Sequence, residues 1–238
     1  MKLFFVLITI LLFASISFGS DTGVKIVSIK GDVNVRYGLD EKWHPAATGM
    51  ILKDIDTILS GENAEVILKT SDEKTFNLGS NSILDIADLR RVQERELFLY
   101  LMSKKVDKIE IPKNKTRLRV ANVSVVHGAL KKGSDSTEVD TSNVYWFLME
   151  KNGALALQIQ KYYTNSIIKL HKLLDKYGSQ VNQAELYFYI AKGFEAIDKN
   201  GQAIDAYEKS LNLFKEKNEN PPKDKIDEIR EHIQKLKK

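Results

Sequence analysis

The histidines His44, His127, His171 and His232, with the carboxylates Asp54 and Asp56, carry most of the reactive chemistry in this chain. An imidazole ligates metal or moves a proton near neutral pH, and two neighbouring carboxylates can divide acid and base roles. The four histidines lie far apart, none forms a His-x-x-x-His pair, and there is no cysteine to complete a mixed ligand set. Asp54 and Asp56 stand two residues apart, the spacing that puts both on one side of a strand. With His127 they are the residues on which a hydrolase would rest. Neither a Gly-x-Ser-x-Gly elbow nor a phosphate loop accompanies them. No enzyme is expected, and no metal or cofactor is implied.

The elements that would position any site begin after an unusual start. Lys2 precedes an apolar run from Leu3 to Phe13, and Ala14 to Gly19 bring small residues, with Ser17 and Gly19 at minus three and minus one of a cleavage site. That is the layout of a secretory signal over residues 1–19. The alternative is an uncleaved anchor, because Leu3 to Phe18 approaches the lower limit of roughly 17 residues for a spanning helix. The expected location is periplasmic or otherwise exported, with membrane contact only if the apolar start is retained. Lacking cysteine, the chain has no lipidation site and no disulfide, so its core must hold it together. Lys plus Arg number 36 against 32 Asp plus Glu, too mixed a charge to point to nucleic acid or a membrane surface.

The chain of 238 residues has room for two modest domains, and its periodicity changes near Thr141. Before that point apolar residues recur at every second position: Val33, Val35 and Tyr37; Ala64, Val66 and Leu68; Leu97, Leu99 and Leu101; Ile109 and Ile111. Period two broken by Gly, Asn and Asp predicts short strands. After it the period is helical. The Ser-, Thr-, Asp- and Gly-rich stretch 132–142 reads as the linker. The fold class is therefore multidomain, β then α: a small all-β domain over 24–131, then a short α-helical stack over 143–238.

Order adds to period in the first part. Gly31-Asp32-Val33 opens a strand; Trp43, Gly49, Asp56 and Ile58 follow; Gly61 precedes the Ala64, Val66, Leu68 strand; Asn81-Ser82-Ile83 comes last. This series resembles the FecR domain, a small all-β module of bacterial envelope proteins, over about Val24 to Leu89. A thinner likeness reaches Lys131 through Val120 to Gly128, where His127-Gly128-Ala129 stands in place of the family's Arg-Gly-Thr and Asn122 in place of its Pro. The resemblance implies an envelope location, a binding module, and a turn-forming role for Asp56. Gly31, Gly49, Gly61 and Gly79 are expected at turns. Trp43 is expected to fill the space between strands, or alternatively to stack on a glycan if exposed. In a bacterial envelope the glycosylation-type triplets at Asn114 and Asn122 read as chance matches.

In the second part Tyr187, Ile190, Ala191 and Phe194 share one helix, and Ala203, Tyr207 and Ser210 a second, with Asn200-Gly201 read as the turn. These positions resemble the tetratricopeptide repeat, a helical hairpin of about 34 residues, from Ala184 to about Lys217. Asn182 and Glu185 are spaced as a capping pair. One hairpin needs neighbours. Trp146 to Gln160, followed by the stripe Ser166, Ile167, Leu170, Leu173, Leu174 and Tyr177, reads as a degenerate repeat, weakened by about 1 kcal/mol where Gly153 interrupts its first helix. Ile226, Ile229, Ile233 and Leu236, after Pro221-Pro222, make a final capping helix.

The tetratricopeptide resemblance implies a partner-binding groove lined by Glu185, Phe188, Tyr189, Lys192 and Glu195. Aromatics beside opposite charges suit an extended peptide; in the alternative, Phe188 packs against the preceding repeat and the charges are solvated. The expected function is that of an exported, non-catalytic binding or scaffold protein. Its β module would bind an envelope component, a glycan or a small ligand, and its repeats an envelope protein or peptide. The alternative is a periplasmic ligand sensor feeding a separate membrane signalling or transport protein.

Overall fold

A computed structural model of the chain describes residues 23–106, 141–217 and 222–238. The apolar start, the Val120–Gly128 segment with His127, the triplets at Asn114 and Asn122, Ile109, Ile111 and most of the linker lie outside the described residues. Eight strands are followed by six α-helices among those described. The β-then-α architecture is as the change of period predicts.

The strands are β1 (Val24–Lys30), β2 (Val33–Arg36), β3 (His44–Pro45), β4 (Ile51–Leu52), β5 (Thr57–Ser60), β6 (Glu65–Lys69), β7 (Thr75–Leu78) and β8 (Ser82–Asp85). They form two four-stranded sheets of order β4-β1-β6-β7 and β3-β2-β5-β8. β1 is antiparallel to β4 and β6, β6 to β7, and β2 to β3 and β5. Alternation sets the faces: Ile26, Val33, Val35, Val66, Leu68, Phe76 and Leu78 are buried while the residues between them reach outward. Gly31 turns β1 into β2 at φ +75°, where an added Cβ would come within 2.9 Å of the Ala64 Cα. Only glycine fits so close an approach in that conformation.

Two expectations in this part are corrected. Asp54 and Asp56 share no strand face. Both lie in the connection between β4 and β5, Asp54 exposed and Asp56 buried, because the Asp56 carboxylate turns inward to accept the Gly38 N–H at 3.0 Å and the Lys53 N–H at 2.8 Å. Trp43 fills no core. It is half-buried with the Arg36 guanidinium 5.2 Å from its ring centroid, and smaller aliphatic residues fill the space between the strands.

The helices are α1 (Glu94–Val106), α2 (Thr141–Ile159), α3 (Tyr163–Tyr177), α4 (Gln183–Ala196), α5 (Asn200–Lys217) and α6 (Lys223–Leu236). Contacts divide the chain into two compact units, one running to Ser80 with Asp85–Ala87, the other comprising Asn81–Leu84 with Asp88–Lys238. Within the second, α2 to α6 each pack on the next helix in sequence. Their core holds Phe147, Ile167, Leu170, Leu186, Phe188, Ile190, Phe194 and Tyr207. A buried serine closes each hairpin: the Ser166 hydroxyl donates to the Ala154 carbonyl at 2.8 Å, and that of Ser210 to the Ala184 carbonyl at 2.6 Å. The buried Ser210 hydroxyl is thus satisfied internally.

Leu97, Leu99 and Leu101 belong to α1, not to a strand. Helical spacing places Leu97 and Leu101 on one face, where Leu97 is 4% exposed and Leu101 packs on the same core, while Leu99 points away at 56%. Acidic Glu94 and Glu96 in the first turn favour that helix start. The turn between α4 and α5 is Ile197–Lys199, with Asp198 at φ +58°, and Asn200-Gly201 already belong to α5. Gly153 sits within the unbroken α2 for a tertiary reason. A Cβ there would overlap the Ile83 carbonyl oxygen and stand 3.0 Å from its carbon.

Candidate functional site

Positions 185, 188, 189, 192 and 195 fall on one face of α4 by helical spacing, and the structure brings all five to that face. The helix starts where the Asn182 side chain accepts the Glu185 N–H at 3.3 Å. That is half of the expected capping pair. The Glu185 carboxylate turns instead to Lys151 of α2, whose Nζ lies 3.0 and 3.1 Å from its two oxygens.

Phe188 is 1% exposed and belongs to the core, 6.0 Å from the Tyr207 ring of α5. It lines no open groove, because ammonium groups cover its outer side: Lys225 Nζ of α6 sits 4.3 Å from the ring centroid and Lys192 Nζ 5.3 Å. Tyr189 packs edge-on against Phe188 at 5.4 Å, and its carbonyl accepts from Gln158 of α2 at 2.8 Å. Burial, reinforced by the Glu185 charge, holds its phenol above the ordinary value. Lys192 faces Glu228 of α6 at 3.9 Å.

Glu195 is the hub of this face, with its side chain 16% exposed. Oε2 accepts from the Tyr207 hydroxyl at 2.9 Å and from His232 Nδ1 at 2.8 Å; Oε1 pairs with Lys235 at 3.0 Å. Burial pushes its pKa up, but the bonds from Lys235 and Tyr207 and the His232 charge outweigh that and leave it lowered. The Tyr207 phenol is strongly raised by its burial and by the same carboxylate. His232 also stacks on the Tyr207 ring, with centroids 5.1 Å apart and planes at 19°. The face is thus covered by α6 of the same chain, through aromatic contact and matched charge.

A second concavity escaped the sequence because α1 reads there as strand. Phe98, Leu101 and Met102 of α1 face His171 and Leu174 of α3, Tyr187, Ile190 and Phe194 of α4 and Gln202 and Ala206 of α5 around a cavity of about 410 Å³. Phe98 and Met102 are themselves exposed. Lys104 and Asp175 pair on its rim. Beside it, burial and the Asp175 charge push the Tyr100 phenol up to about 12, and its hydroxyl has no hydrogen-bond partner among the described residues. The i, i+4 relation of Leu97 and Leu101 was the signal that could have revealed this helix.

The other two described histidines make local contacts. His44 Nε2 meets Asp40 at 3.2 Å in the strand unit, and His171 lies edge-on to Tyr100 at 6.4 Å in the helical unit. Among the described residues no three His, Asp or Glu gather as a metal site, and no helix is long and apolar enough to cross a membrane. Compared with protein-family models, curated proteins and solved structures, the chain matches none.

Proposed function

We propose that this chain is an exported, non-catalytic binding or scaffold protein of a bacterial cell envelope, with a β module for an envelope component and a helical unit for a protein partner. The observation that carries the helical half is the α4 face. It already holds a helix through ring contact and complementary ion pairs, the chemistry by which one protein recognises another. The export signal and the FecR and tetratricopeptide resemblances support the location and class. The test is crosslinking in intact cells, followed by recovery of the tagged full-length chain. An envelope protein captured by the wild type and lost in a Lys192→Glu, Glu195→Lys double variant is the expected result. Equal capture by both, or none by either, overturns the reading.

The cavity under α1 favours ligand sensing as a second reading. Its volume falls within the roughly 300 to 1,000 Å³ range of small-molecule sites, and apolar side chains with a few polar groups line it. Here the helical unit, not the β module, takes the ligand. A Phe98→Arg change should abolish uptake of hydrophobic probe dyes by the full chain; undiminished uptake removes this reading.

A further inference from the structure

We propose that α6 is a displaceable occupant of the α4–α5 face, and that the partner received in its place is an amphipathic helix with the same pattern. That pattern has apolar residues at i, i+3, i+7 and i+10, as in Ile226, Ile229, Ile233 and Leu236, and basic groups at i+6 and i+9, as in His232 and Lys235. The inference rests on the adaptor reading and specifies its partner.

The occupant is held by few groups. Only Ile226 and Ile229 of α6 are buried. Ile233 and Leu236 pack on the core while remaining partly open to solvent. Apart from the His232–Glu195 pair, whose side chains are 25% and 16% exposed, the surrounding ion pairs reach solvent, with the Lys235 side chain 73% exposed and those of Lys192 and Glu228 43% and 36%. Solvated pairs of this kind each contribute little to stability. An element with two buried residues, one partly buried ion pair and otherwise solvated pairs opens more readily than the α4–α5 hairpin beneath it.

The receiving surface, by contrast, is set without α6. The Tyr207 hydroxyl on α5 fixes the Glu195 carboxylate on α4, the Phe188 and Tyr207 rings pack on one another, and Lys192 lies against Phe188. Withdrawal of α6 leaves a carboxylate already aimed over an aromatic floor, with Glu208 beyond it on α5, where it now meets Lys237. The Glu195 and Glu208 carboxylates beside these rings outnumber the Lys192 ammonium on the same face, so the surface selects cations carried on an apolar helix, the rings supplying packing and the carboxylates charge. A helix whose last turns are basic fits best, since its own dipole favours cations there. Only residues 218–222 separate α5 from α6 in the sequence, so α6 competes at an effective concentration on the order of millimolar, and a partner in trans must bind tightly or avidly.

The test uses the full-length chain and a fluorescent peptide of residues 223–238, read by anisotropy. In an Ile229→Asp, Ile233→Asp variant, whose own α6 is weakened while α4 and α5 are unchanged, the peptide should bind at least tenfold more tightly than to the wild type. Equal affinity overturns the proposal. If that variant loses more helix by circular dichroism than the 14 residues of α6 can account for, a Glu195→Lys variant replaces it. A peptide carrying H232E and K235E should then bind at least tenfold more tightly than the unaltered peptide, and no preference overturns the proposal. Hydrogen exchange should be faster in α6 than in α4 of the wild type; equal protection also overturns it. Peptide exchange with an empty cellular capture removes the adaptor role and leaves the helix-binding face. Successful capture without peptide exchange removes the displaceable helix and leaves the adaptor.

Discussion

At Glu195 one carboxylate joins three elements, accepting from Tyr207 of α5 and pairing with His232 and Lys235 of α6. Its lowered pKa gives the sign of a pH effect. The group stabilises the folded state fully above its ordinary value of 4.5, and that contribution is lost as pH falls through the lower folded value. Glu195→Gln should therefore cost about 1 to 3 kcal/mol at pH 7, with the gap to wild type closing below about pH 4, in urea titrations across pH. A gap independent of pH would assign the loss to packing. Asp56 is a residue of another kind, a buried acceptor for two backbone N–H groups. Asp56→Ala should destabilise by about 2 to 3 kcal/mol, whereas Asp54→Ala, at an exposed position, should stay within about 0.5 kcal/mol. Equal effects would restore the carboxylate pair. Asp56 does lie in the connection between β4 and β5, where a turn-forming role was expected; its two donors, 3 and 18 residues away, were not legible in the sequence.

At the scale of elements, local period and tertiary contact disagree in α1 and α2. Leu97, Leu99 and Leu101 satisfy period two, yet Leu97 and Leu101 also satisfy i, i+4, and burial against the helical core selects the second pattern. A short apolar run fits both periods, so its neighbours decide. Gly153 reverses an expectation in the same way. Helix propensity alone predicts that Gly153→Ala stabilises α2 by about 1 kcal/mol. The Ile83 carbonyl in the path of the new Cβ predicts a loss of about 1 to 3 kcal/mol instead, measurable as a lower urea midpoint. A raised midpoint would show that the strand residue yields. For α4 the sequence located the helix, its Asn182 cap and the face of five residues. It left α6 as a solvating end and did not place that helix across the face.

For the molecule as a whole, the proposed export carries its own prediction. With residues 1–19 acting as a cleaved signal, the protein recovered from cells should begin at Ser20 by intact mass, and a mass retaining residues 1–19 would make the segment an anchor. The sequence by itself determined what repeats locally: alternating burial in β2 and β6, helical stripes in α3, α4 and α5, and the change from β to α. Those follow from the projection of side chains along a single strand or helix, which needs no knowledge of distant residues. Tertiary structure alone decided which stripes meet. It buried Phe188, paired Glu195 with a helix near the end of the chain, turned Asp56 onto two backbone amides and brought Ile83 against Gly153. Each of these depends on an approach between segments far apart in sequence, and local periodicity specifies a face without specifying what will cover it.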